Sequence, residues 1–118
     1  MPRRSVELRP RLRFPEPSPI AFGPGKADLL ALIARTGSIT KAAARMKMSY
    51  NRAWVLVRDM NKLFRKPLVA TERGGSQGGG ARITPEGREV LGRYVRMQAA
   101  CLRATAADWR SLRSKLRR

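Results

Sequence analysis

The sequence is poor in the residues that most enzymes use for acid–base or metal chemistry. It has no histidine, one cysteine and only 8 acidic residues among 118. Without histidine, the usual base of Ser/His and Cys/His catalysis is missing, and a Cys/His zinc site cannot be assembled from Cys101 alone. The single cysteine also excludes a disulfide within the chain. We therefore expect neither an enzyme nor a bound metal or other cofactor.

Long apolar runs are also missing. No stretch approaches the roughly 18 residues that a membrane-spanning helix needs. The first residues have no apolar segment behind them, so they do not form a secretory signal. We expect a cytoplasmic protein without a membrane partner.

Basic residues dominate what remains. Lysine and arginine number 26, which gives a formal net charge of +18 and indicates a polyanionic partner such as nucleic acid. Aromatic residues make up only 6% of the chain, so few side chains are available to stack on the bases of single strands. Two function classes stay open: a sequence-specific regulator that binds double-stranded DNA, and a non-specific architectural nucleic-acid-binding protein.

The amino-terminal half changes from a strand pattern to a helical one. Residues 5–14 alternate in polarity, with Pro10 as an interruption, and a proline-rich connector is predicted up to residue 25. Helical spacing begins at Lys26, and Gly37 is suited to end that first helix. Ser38 and Ser49 can cap the next two helices, which predicts a helix-turn-helix.

The third predicted helix has one face for the protein and one for DNA. Ala53, Val57, Met60 and Phe64 recur at helical spacing and form the predicted core face, with Trp54 at its boundary. The opposite face offers an amide, an apolar side chain and two cations, which suit base edges and phosphates in the major groove. The candidate DNA-binding residues of the helix-turn-helix are Ser38, Thr40, Ser49, Tyr50, Asn51, Arg52, Val55, Arg58 and Lys62.

A glycine-rich run lies between two short strand-like segments, within residues 68–84. No lysine follows the glycines as a Walker loop requires, and a second strand intervenes before the next helix. We interpret the run as the tip of a β-hairpin wing that approaches the DNA backbone; the alternative is a loop without DNA contact. The candidate wing contacts are Arg73, Gly75, Gln77, Gly79 and Arg82.

A long last helix is predicted over residues 85–106, because Thr84 can cap it and Pro85 suits its first position. This helix has more apolar side chains than it needs to pack into a single shallow groove. Residues 107–118 form a basic tail that is expected to fold only in part. The predicted fold is mainly α with a small β wing: a winged helix-turn-helix DNA-binding domain over residues 26–106, preceded by a strand and connector over residues 1–25.

Several strings resemble one family of regulators. "GSITKAA", "SYNRAW", "MN" and "GGGARIT" resemble the DNA-binding domain of the molybdate-responsive transcriptional regulators of the ModE type, and the helix-turn-helix half also looks like the LysR-type regulators. The resemblance implies a homodimer that binds double-stranded DNA, with the amino-terminal strand and the long carboxy-terminal helix at the contact. The predicted dimerisation residues are Val90, Leu91, Tyr94, Val95, Met97, Cys101 and Leu102.

Full-length members of that family carry a further region that binds molybdate or tungstate. Nothing after Trp109 in this sequence can form a second domain, so we do not expect the chain alone to sense molybdate. Three alternatives follow: a separate effector-sensing protein supplies the signal, regulation is constitutive, or basic groups of this chain bind an oxyanion.

Overall fold

The structure is a computed structural model that describes residues 7–14, 21–72 and 80–117. Short antiparallel strand pairs accompany a mainly helical chain, so the predicted fold class is confirmed. The helices are α1 (Pro24–Thr36), α2 (Ile39–Arg45), α3 (Tyr50–Leu63), α4 (Pro85–Ala104) and α5 (Ala106–Ser114). The strands are β1 (Leu12–Arg13), β2 (Ala21–Phe22), β3 (Val69–Thr71) and β4 (Ala81–Ile83), paired as β1–β2 and β3–β4.

The cap residues predicted for the first three helices are confirmed. Gly37 ends α1 in the left-handed conformation, with φ of 68°. The Ser38 hydroxyl caps α2 by accepting a hydrogen bond from the Lys41 backbone amide at 3.1 Å. The Ser49 hydroxyl caps α3 in the same way, from the Arg52 amide at 3.1 Å. These caps satisfy amide groups that a helix start otherwise leaves unpaired.

The turn between α2 and α3 is tight and depends on small side chains. Lys47 adopts φ of 57°, a left-handed conformation that is uncommon for a residue with a side chain. Ala42, Ala43 and Ala53 are all at most 2% exposed, so the two helices approach without bulky groups between them. This close approach fixes the direction of α3 relative to α2.

The core differs from the sequence prediction at its amino-terminal edge. Residues 15–25 were expected to form a connector, but Ala21–Phe22 is a strand, and α1 already begins at Pro24. Phe22 is 1% exposed and makes edge contacts with Tyr94 and Phe64, at centroid distances of 5.5 and 5.8 Å. The apolar contacts of this segment outweigh the proline signal, because a buried aromatic ring contributes more than local turn preference. The largest fully buried side chains are Tyr94, Phe22, Leu29, Leu30, Ile33, Met60 and Leu68.

The predicted wing is present, and its base is closely packed against the start of α4. Val69 pairs with Ile83 and Thr71 with Ala81. Thr84 caps α4 by accepting from the Gly87 amide at 2.9 Å, as predicted. A side chain at Gly87 would collide with the Leu68 carbonyl oxygen and with Ile83, whose Cγ1 would lie 2.7 Å from the added carbon. Glycine is therefore required where α4 crosses the wing base.

Helix α4 also holds the amino-terminal segment. The Tyr94 hydroxyl donates to the Pro10 carbonyl at 2.7 Å, and burial raises the pKa of this hydroxyl, which keeps it a donor. The Arg9 guanidinium donates to the Asp28 carboxylate at 3.0 Å and to the Gln98 side chain at 2.7 Å. These contacts join the segment before β1 to both α1 and α4.

The last part of the chain contains a further helix. The tail was predicted to fold only in part, and α5 covers Ala106–Ser114. Two apolar residues, Trp109 and Leu112, are three residues apart, and so are two basic residues, Arg110 and Arg113. This spacing gives a helix one apolar and one basic side. None of the helices in the described ranges is both long and apolar enough to cross a membrane.

Candidate nucleic-acid interface

Helix α3 presents its polar side to the surroundings, in the predicted orientation. Its core side is buried, with Ala53 and Met60 at 0% exposure and Val57 at 4%. The residues predicted to face DNA from this helix are all exposed: Tyr50, Asn51, Arg52, Val55, Arg58 and Lys62. An amide, a branched apolar group and two cations thus lie together on a rigid, capped helix, with Tyr50 and Arg52 beside them near its amino end, as direct reading of base edges requires.

Ser38 and Ser49 cap α2 and α3 and also contribute hydroxyl groups to the surface. The hydroxyl oxygens of Ser38 and Ser49 accept backbone hydrogen bonds, so each has its own proton left to donate outward. Thr40, in the first turn of α2, is exposed. These three hydroxyls lie at the amino-terminal ends of α2 and α3, where backbone amides favour phosphate.

Asp59, the acidic residue of α3, is less exposed than the neighbouring Arg58. Asp59 lies 3.9 Å from the Arg58 guanidinium and is the less exposed of the two, at 27% against 46% of the side chain. Asp59 also attracts Lys26 at the start of α1, where burial lowers the lysine pKa and this attraction partly opposes the effect. Lys62 and the outer part of Arg58 therefore remain available to an anion.

Trp54 is more exposed than the sequence predicts. We expected it at the boundary of the core, but 43% of its surface is exposed. The Arg58 guanidinium carbon lies 5.5 Å from the centre of the Trp54 ring, within the range of a cation–π contact. An aromatic ring and a guanidinium thus share one flank of α3.

The wing supplies one further cation among the described residues. Arg82 on β4 is exposed and lies 3.2 Å from the carboxylate of Glu72, with both side chains at least 66% exposed. Such an exposed pair is weak, so a phosphate can compete for the guanidinium. The other predicted wing contacts, Arg73, Gly75, Gln77 and Gly79, lie outside the described residues.

Asn61 joins α3 to the wing, a role that its sequence pattern did not predict. Its side-chain oxygen accepts from the backbone amides of Leu68 at 2.8 Å and Val69 at 3.1 Å, and its amide nitrogen donates to the Val69 carbonyl at 3.0 Å. One side chain thereby fixes the wing base relative to α3. The only sequence signal was an amide near the core side of a helix that precedes a strand.

The predicted dimerisation residues on α4 differ in how far they are buried. Tyr94 is 2% exposed and belongs to the core of the chain, so it does not form part of a contact surface. Val90 and Leu91 also pack partly on that core, and Cys101 is half-buried. The exposed apolar members are Val95, Met97 and Leu102.

A shallow groove runs between the amino-terminal segment and α4. It has a volume of about 310 Å³ and is lined by Glu7, Leu8, Arg9, Val95, Gln98, Ala99 and Leu102. Leu8, Val95 and Leu102 are 41%, 51% and 38% exposed, so an apolar strip lies open along it. Across the described part of the chain, no cluster of three or more His, Cys, Asp or Glu side chains is placed to hold a metal ion.

The arrangement of α2, α3 and the wing can be compared with known proteins. Residues 26–88 match the family described as bacterial regulatory helix-turn-helix protein, lysR family. The chain belongs to the lysR family. The match covers most of α1, all of α2, α3 and the two wing strands, and the first residues of α4, and it therefore includes the exposed polar face of α3 and Arg82.

Relatives of this lysR-family chain place it with the ModE type, as the sequence motifs indicated. It is 39% identical to the molybdenum-pterin-binding protein MopB of Rhodobacter capsulatus over 91 residues. These residues make up 77% of this chain and 34% of MopB. It is 44% identical over 74 residues to the molybdenum transport protein ModE of Azotobacter vinelandii, 63% of this chain and 27% of that protein.

A third relative is named as a regulator. The DNA-binding transcriptional dual regulator ModE of Escherichia coli K12 is 38% identical over 71 residues, 60% of this chain and 27% of that protein. The lysR-family chain therefore spans about a third or less of the length of these relatives.

Proposed function

We propose that this protein binds double-stranded DNA by sequence as a homodimer and regulates transcription, with α3 in the major groove. The observation that carries the proposal is the exposed polar face of α3 opposite its fully buried Ala53 and Met60. The second helix of a helix-turn-helix reads bases with such a face, particularly near its amino-terminal end.

Each group on this face has a chemical counterpart on DNA. Asn51 can pair with the edge of adenine, and Arg58 can pair with guanine through two donors. Val55 can contact a thymine methyl group. Arg52 and Lys62 lie where phosphate contacts would fix the register, and Arg82 extends these contacts along the wing.

A twofold arrangement is supported by the open apolar strip along α4. Apolar surface that a second copy can cover is exposed at Leu8, Val95 and Leu102. The groove that they line can accept side chains of that second copy. In a dimer, two copies of α3 would reach half-sites one helical turn apart, about 34 Å along the DNA. Sequence discrimination would then come from both copies.

Selection of binding sites from random duplex DNA tests the proposed function. The proposal predicts an enriched motif with twofold symmetry, bound roughly 10³-fold or more tightly than random duplex at physiological salt. Tight binding without enrichment would instead support a non-specific architectural protein, which the charge of +18 alone could sustain. The selection is repeated with molybdate, because the names of two relatives refer to molybdenum; we expect the same motif and affinity.

The dimer is tested by placing a charge in the strip. Val95→Glu should convert the dimer to a monomer in sedimentation equilibrium, because the carboxylate would be desolvated at the contact. Leu112→Glu is the matched control, since Leu112 is 54% exposed on α5 and lies outside the groove. An unchanged dimer in the Val95 variant, or dissociation of both variants alike, would contradict the proposed contact.

A further inference from the structure

One flank of α3 carries exposed aromatic surface that the helix core does not use. Tyr50 and Trp54 are 51% and 43% exposed, and they stand four residues apart, with Arg58 four residues further on. Residues at this spacing are neighbours on a helix surface. Two half-exposed rings beside a cation form a contiguous surface that a partner can cover.

This flank is the one that faces the wing base. Taking Ala53 as the centre of the core side, Tyr50, Asn61 and Trp54 point about 60°, 80° and 100° away, and Arg58 about 140° away. Asn61 bonds to the wing base through Leu68 and Val69. Trp54 therefore lies between the wing side of α3 and its outermost, DNA-facing side.

Trp54 and Asp59 both lie close to the Arg58 guanidinium. The carbon of the guanidinium lies over the Trp54 ring, 5.5 Å from its centre, and the guanidinium Nε lies 3.9 Å from the Asp59 carboxylate. A free arginine on a helix surface samples many rotamers, and ordering it on DNA costs entropy. A ring next to the guanidinium reduces the number of side-chain conformations that are lost on binding.

We propose that Trp54 is a positioning residue that orients Arg58 toward one base pair and thereby sets sequence preference at that position. The inference rests on the proposed DNA-binding function and deepens it. Trp54 acts through Arg58, so its removal affects the base that Arg58 reads and leaves other positions of the site unchanged.

The test is a double-mutant cycle on the full chain. Trp54→Leu, Trp54→Phe, Arg58→Ala and the Trp54→Leu/Arg58→Ala double variant are titrated with the selected duplex and with duplexes that change one base pair at a time. Unfolding midpoints are measured for every variant, and we expect the exposed Trp54 side chain to be replaceable without loss of folding.

The expected result is a loss confined to one position of each half-site. Trp54→Leu should reduce the preference for the selected base pair there by roughly two- to fivefold, the size of an exposed cation–π contact. Trp54→Phe should retain most of the preference, because it keeps a ring. In the Arg58→Ala background the Trp54 substitution should have no further effect.

Three outcomes would overturn the inference. One is a Trp54→Leu loss that persists undiminished without Arg58. Another is weaker binding to all duplexes alike with base preference intact, which would make Trp54 a general contact. The last is failure of the wild-type protein to select any motif, which would remove sequence-specific binding itself and with it the role of Trp54.

Discussion

Replacing Asn61 by alanine should loosen the wing and destabilise the fold. The substitution removes three hydrogen bonds, two from the amides of Leu68 and Val69 and one to the Val69 carbonyl. Leu68 and Val69 are 0% and 2% exposed, so water has little access to the groups left behind. At about 0.5–1.5 kcal/mol for each bond, the loss is about 2–3 kcal/mol after partial rehydration.

The assay is urea unfolding followed by circular dichroism, supported by thermal unfolding. A loss of about 2 kcal/mol should lower Tm by roughly 10 °C in a domain of this size. Asn51→Ala is the matched control, because Asn51 is an exposed asparagine on the same helix; its variant should change stability by less than about 0.5 kcal/mol. The reasoning is refuted if Asn61→Ala destabilises the protein no more than Asn51→Ala does.

Three other substitutions test the wing and the helix cap. Gly87→Ala should destabilise by about 1–3 kcal/mol, because its methyl group meets the Leu68 carbonyl; an unchanged urea midpoint would show that the wing base can move aside. Arg82→Ala should weaken binding to every duplex, since it removes an exposed cation of the wing, and the slope of log K against log salt should become shallower by about 1 per subunit; an unaltered slope would place Arg82 away from DNA. Ser49→Ala should cost about 1 kcal/mol through loss of the cap on α3, and an unchanged unfolding free energy would argue against that cap.

Local rules were sufficient to predict the helix-turn-helix. The caps at Ser38, Ser49 and Thr84 and the left-handed end at Gly37 each depend on a residue and its immediate neighbours. The buried side of α3 followed from the spacing of its apolar residues, because one helical period defines one face.

Features that depend on contacts between distant segments were not predictable in the same way. Tyr94 is apolar and lies on a long amphipathic helix, but periodicity does not say whether a face meets its own chain or a second copy. Its burial is set by Phe22 and by the Pro10 carbonyl, both remote in sequence. Trp54 lies at an intermediate angle on α3, where the surrounding elements decide exposure.

The role of Asn61 could not be read from the sequence for a related reason. Its partners are backbone groups of Leu68 and Val69, and backbone groups carry no sequence signature. The strand at Ala21–Phe22 was hidden by the prolines around it, since its stability comes from burial of Phe22 and not from local preference.

The central claim is that the outward face of α3 reads sequence, and a ratio of dissociation constants tests it most directly. The ratio between scrambled and selected duplex is measured for wild type, Asn51→Ala, Arg58→Ala and Arg110→Ala, the last removing an exposed cation from α5. We predict that Asn51→Ala and Arg58→Ala each lower the ratio by roughly 5- to 150-fold, equivalent to about 1–3 kcal/mol. Arg110→Ala should leave the ratio unchanged. Ratios equal to wild type in both α3 variants would contradict the account.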